Sequence, residues 1–129
     1  MKKTLFALAL IICLSSGVFA QESPRFMQIT TIESVVGGGM GRSRMIITKE
    51  DGSQEEKELE NLFSMTGINF KNIKSNESGI LQTIKSYTDQ GWKLFSTTPL
   101  TLSPGNNGSG IFMTRYLLVK DNGKSTSKP

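Results

Sequence analysis

Apolar side chains in Phe26–Val36 fall on both parities, with Met27, Ile29 and Val35 on one and Phe26, Ile32 and Val36 on the other. The Ile, Thr and Val content predicts a strand. Its broken alternation fits a bulge or a strand covered on both faces. Arg44–Lys49, with Met45-Ile46-Ile47-Thr48 as its apolar part, reads as a second strand, joined to the first across the wide glycine loop Gly37–Gly41. Asp51-Gly52 marks a tight turn, because glycine supplies the positive φ that such turns need. Gln54–Leu59 fits a solvent-facing strand, or the start of a short helix with Leu59, Leu62 and Phe63 on one face; the preferred reading is strand, then irregular chain. Ser64–Lys74, punctuated by Gly67 and Asn69, has no sustained period.

The helix signal follows. Ile80, Leu81, Ile84 and Tyr87 make one apolar stripe, with Ser75 or Asn76 as the expected cap, Glu77 in the first turn and Gly91 as the left-handed stop. Trp92–Thr97 reads as a strand halted by Pro99, Leu100–Gly110 as a loop, and Ile111–Lys120 as the last and most apolar strand. Strands, then a helix, then two strands predict an α+β domain, an antiparallel sheet with one helix across a face. The expected core is Ile80, Leu81, Ile84, Tyr87, Trp92, Leu94, Tyr116 and Leu118. Residues 21–25 read as a polar lead-in, 26–120 as the single domain and 121–129 as a disordered polar tail.

The first twenty residues carry a different pattern. Met1-Lys2-Lys3 is basic, Leu5–Leu14 is an apolar run, and Val18-Phe19-Ala20 suits signal peptidase, so residues 1–20 read as an export signal cleaved between Ala20 and Gln21. The run is short for a membrane anchor, which needs about 20 apolar residues. Ile12 before Cys13 spoils a lipoprotein signal. No later stretch is apolar enough to span a membrane, so the mature chain is expected to be periplasmic or secreted.

Composition narrows the chemistry. The chain has 129 residues, no histidine and one cysteine, Cys13, which lies in the export signal. The mature chain therefore has no disulfide, no thiolate nucleophile, no Ser-His-Asp triad and no zinc site built on His or Cys. The net charge of +4 falls to +2 once Lys2 and Lys3 leave, too weak an excess to argue for nucleic acid.

Ile80-Leu81 to Tyr87, followed by Asp89-Gln90-Gly91-Trp92-Lys93-Leu94-Phe95-Ser96, resembles the Gly-Trp signature of small bacterial proteins grouped as domains of unknown function. Arg115-Tyr116-Leu117-Leu118-Val119-Lys120 resembles their closing strand, while Lys93 stands where that pattern has Glu and the Asn-rich loop is longer. The resemblance covers about half of the mature chain and implies a small α+β fold in an exported member. It implies no reaction.

Three local features are candidate sites. Gly38, Gly39 and Gly41 with Arg42 and Arg44 form a candidate anion nest, since glycine backbone amides and guanidinium groups converge well on phosphate or carboxylate. The segment is neither a P-loop nor G-x-G-x-x-G, and a plain hairpin loop is the preferred reading. Glu55, Glu56, Glu58 and Glu60 lack the spacing of a calcium loop and read as a solvated face. Trp92 with Tyr87, Phe95 and Tyr116 offers an aromatic platform for sugar or peptide, against the preferred reading of a core plug. No residue is assigned to catalysis, a cofactor or a metal. The pattern therefore points to a non-enzymatic exported module for an unknown envelope protein or peptide, monomeric or weakly oligomeric. A small-anion or glycan binder at Gly37–Arg44 is the alternative.

Export is directly measurable. Intact-mass spectrometry of protein from the envelope fraction should find a chain beginning at Gln21; retention of residues 1–20, or a lipid on Cys13, contradicts the expectation.

Overall fold

The computed structural model describes residues 23–36, 41–102 and 110–122. Among these residues seven strands and one helix run in the order β1 (Arg25–Val35), β2 (Ser43–Thr48), β3 (Gln54–Leu59), β4 (Phe63–Ser64), β5 (Gly67–Ile68), α1 (Phe70–Asp89), β6 (Lys93–Leu102) and β7 (Gly110–Lys120). Five strands form an antiparallel sheet in the order β3-β2-β1-β7-β6, and β4 and β5 pair as a separate two-residue hairpin. This is the α+β architecture expected from the order of elements.

Strand β1 lies at the centre, and its register with β7 runs unbroken from Arg25↔Lys120 to Val35↔Gly110. Its mixed parity therefore comes from its central place and not from a bulge. Met27 and Ile29 face the helix, while Phe26 and Ile32 point to the opposite side of the sheet. The bulge lies elsewhere, in β6 between Leu94 and Ser96. Strand β6 also continues through Pro99 to Leu102. An edge strand tolerates proline, because an N–H facing solvent has no ladder partner to lose.

The helix cap, Asn69, lies six or seven residues before the expected Ser75 or Asn76. The Asn69 side chain accepts from the backbone N–H groups of Lys71 (3.1 Å) and Asn72 (3.3 Å), so the first turn forms at Phe70. Ser75 and Asn76 lie inside the helix. Gly91 takes φ 89° just past the helix end, and Gly52 takes φ 81° in the turn between β2 and β3. The first residues of the expected tail are tied down: Asp121 pairs with Lys93 at 2.9 Å, and Asn122 donates to the Ser23 carbonyl. Residues 123–129 lie outside the described residues, as do 1–22.

The core is Met27, Ile29, Met45, Ile47, Ile80, Trp92 and Leu118, with Leu59, Ile84, Tyr87 and Tyr116 packed against it. Two expected core residues are not in it. Leu81 is 67% exposed, because it follows Ile80 by about 100° of helix rotation and the buried stripe is narrow. Leu94 is 50% exposed, because it sits on the edge strand beyond the helix.

The helix is held as much by polar contacts as by apolar ones. Asn76 is 2% exposed; its Oδ1 accepts from the Glu60 backbone N–H (2.8 Å), and its Nδ2 donates to the Glu60 carbonyl (2.8 Å) and to Glu33 Oε1 (3.2 Å). One turn earlier, Asn72 donates to the Asn61 carbonyl at 2.9 Å. These bonds fasten α1 to the chain leaving β3. Asn76→Ala strands both backbone groups of Glu60 and should lower the unfolding free energy by about 1–3 kcal/mol in urea titration. Parent-like stability would show that water replaces the amide at no cost.

Candidate docking surface

A helix with its side chains is about 10 Å across, whereas five strands at about 4.8 Å spacing make a sheet roughly 24 Å wide. Helix α1 lies over the β3-β2-β1 half, shown by Thr83 against Lys57 (3.4 Å) and Asn76 against Glu60 and Glu33. Among the described residues no helix lies over β6 or the Phe112 end of β7, although Leu118 and Tyr116 of β7 belong to the core or pack against it. All ten residues of β6 are exposed, among them Leu94, Phe95, Leu100 and Leu102, and on β7 Ile111 and Phe112 are exposed as well.

The two edges of the sheet differ in chemistry. Strand β3 carries Glu55, Glu56, Lys57 and Glu58, so the acidic run noted in the sequence is a charged, solvent-facing edge. Such charges discourage a further strand from pairing there. Strand β6 has one charge, Lys93 at its start; its ladder with β7 is interrupted by the Phe95 bulge, and Pro99 leaves its outer edge short of one N–H donor. Charge guards one edge and backbone geometry the other.

Side chains facing away from the helix form cross-strand rows. One row reads Leu100–Met113–Ile32–Arg44–Glu58, and the next Thr98–Arg115–Thr30–Ile46–Glu56. In the first row the apolar part lies toward β6 and the ionic part toward β3; in the second, Arg115 stands on β7 and the apolar residue is Ile46 on β2. Arg44 Nη1 lies 3.6 Å from Glu56 and 3.9 Å from Glu58. This arginine, a candidate anion ligand, is thus already paired with two carboxylates, while Arg42 is exposed. Gly38 and Gly39 lie outside the described residues. Gly41 has a packing reason to be glycine: a Cβ there would stand 2.4 Å from Ser34 Oγ and 2.8 Å from its Cβ.

The helix flanks leave two further hollows of contrasting chemistry. Toward β3 a polar groove of about 500 Å³ runs past Lys57, Glu58, Ser75 and Gln82. Toward β7 a groove of about 430 Å³ has mainly apolar walls, with Leu62, Ile73, Leu81, Ile84 and Tyr116 beside Glu33 and Glu77. Sequence reasoning did not find this second groove. Its signal is the exposed flank of the helix, where Ile73, Glu77, Leu81 and Ile84 repeat at spacings of four, four and three.

The proposed aromatic platform divides into separate parts. Trp92 is buried, and the Arg25 guanidinium stands 5.6 Å from its ring centroid. Arg25 also makes a doubly hydrogen-bonded ion pair with Glu50, which holds the Glu50 carboxyl below the usual range. Phe95, at the bulge, is exposed instead. Tyr116 lines the groove beside β7, and Tyr87 lines a hollow beside Trp92 and Arg25.

No cluster of three or more His, Cys, Asp or Glu able to hold a metal occurs among the described residues, and no described helix is long and apolar enough to cross a membrane. No protein-family model, characterised protein or solved structure matches the chain.

Both tyrosines report on these hollows. Burial, reinforced by Glu33 at Tyr116 and by Glu55 at Tyr87, raises both phenols above their ordinary value of 10.0. A phenol whose folded pKa is raised contributes stability that is complete below the unfolded value and lost as pH rises through the folded one. Ultraviolet titration should show phenolate only above the ordinary value, and stability should fall on the alkaline side of pH 10. Titration at the free-phenol position would place both rings in water.

Proposed function

We propose that the chain is exported and acts as a non-enzymatic interaction module, binding a protein or peptide of the cell envelope through its uncovered β6–β7 half. One observation carries this reading: every residue of β6 is exposed, and four of them are large and apolar. Leu100 and Leu102 share the face turned from the helix with Ile111, while Leu94 and Phe112 lie on the helix side, and exposed apolar patches of this kind usually mark binding sites. The leader-like residues 1–20 support export, and the absence of histidine from the whole chain narrows the catalytic options. The resemblance of Gly91-Trp92 and Tyr116–Lys120 to small exported bacterial domains points the same way. The small-anion reading is less favoured, because Arg44 faces two glutamates.

Site-specific photo-crosslinking in the intact envelope tests the assignment. A crosslinker at Leu102 or Phe95 should give a discrete adduct, and one at Glu56 on the opposite edge should give none. Adducts of equal yield from both edges, or from neither, would remove the β6–β7 half as the binding surface.

A further inference from the structure

The groove between α1 and β7 has a more specific chemistry than the rest of the uncovered half. We propose that it receives an amphipathic helical segment of the partner protein, apolar on one side and basic at its rim; the proposal rests on the interaction-module reading above.

Three observations define this occupant. The first is width. Helix α1 leaves all of β6 and the Phe112 end of β7 uncovered, an opening that one further helix, about 10 Å across, would cover. The second is the wall. Ile73, Leu81 and Ile84 on one side and Tyr116 on the floor give an apolar seat, and β7 is hydrogen-bonded to β1 and β6 on its two sides. The floor therefore offers no free strand edge. An extended peptide would lay unpaired backbone groups on apolar side chains, whereas a helix satisfies its own.

The third is charge. Glu33 rises from β1 and Glu77 projects from the helix, both lining the groove. Neither is ion-paired among the described residues: Glu33 Oε1 takes a hydrogen bond from Asn76, and Glu77 has no polar partner. Two carboxylates at the rim of an apolar seat favour lysine or arginine on the incoming helix and repel an acidic one.

The probes are two synthetic amphipathic helices of identical leucine pattern, one with lysine and one with glutamate on the polar side. They are titrated into the exported chain while the methyl resonances of Ile84 and Leu81 are followed. The lysine peptide should bind about tenfold or more tightly than the glutamate peptide, weaken with salt, and shift the groove methyl groups. Glu33→Gln with Glu77→Gln keeps an acceptor for Asn76 and should erase the preference. Glu33→Lys with Glu77→Lys should reverse it. Equal affinity for the two peptides, no binding of either, shifts confined to the face opposite the helix, or a groove filled by a second copy in a dimer that neither peptide displaces would each overturn the proposal. The crosslinking result at β6 is independent of these outcomes. A discrete β6 adduct with no lysine preference would discard the basic helix and keep the interaction module.

Discussion

One helix cannot cover five strands. Most features of this molecule follow from that mismatch of about 10 Å against roughly 24 Å. Ile29 and Ile47 on the covered side are wholly buried, Leu118 marks the far limit of the core, and β6 has no covered residue. Burial of apolar area is worth about 25 cal/mol per Å². Leaving so much of it exposed on one side forfeits stability that a second helix would recover. Four large apolar side chains of β6 thus sit where folding alone gains little from them.

The position of α1 is specified by asparagines. Asn69 starts it, Asn72 reaches the Asn61 carbonyl and Asn76 clasps Glu60. Apolar contacts would tolerate a helix sliding over β1 and β2, since Ile80 and Ile84 can pack against many neighbours. Directional bonds to one backbone segment do not tolerate it. Glu33 is joined to the same set through Asn76, so the wall of the β7-side groove is aligned with the helix that forms its other side.

Much of this was legible in the chain. The five long strands, the turn at Gly52, the stop at Gly91 and the antiparallel plan follow from periodicity and from residues with narrow backbone preferences. The misreadings have physical causes. An apolar stripe marks where a helix is buried, and α1 begins with about two turns in which Asn72 and Asn76 do the anchoring, so a cap expected next to the stripe falls too late. Pro99 stops a strand only where its missing N–H is needed, and an edge position cannot be recognised from local sequence. Leu81 and Leu94 looked like core because hydrophobicity reports what a side chain avoids and not whether a neighbour is there to cover it. The groove depends on that same absence of cover, so it becomes visible only when strand order is known.

The unlike protection of the two sheet edges has a consequence for how the protein behaves in different media. Strand β3 is kept apart from other strands by the charges of Glu55, Glu56, Lys57 and Glu58, and ions in solution shorten the reach of such charges to about 3 Å at molar salt. Strand β6 relies on a bulge and a proline, which are covalent and conformational facts that no ion alters. Salt therefore softens the barrier to strand pairing at β3 and leaves the one at β6 intact. In brine β3 becomes the less guarded of the two edges.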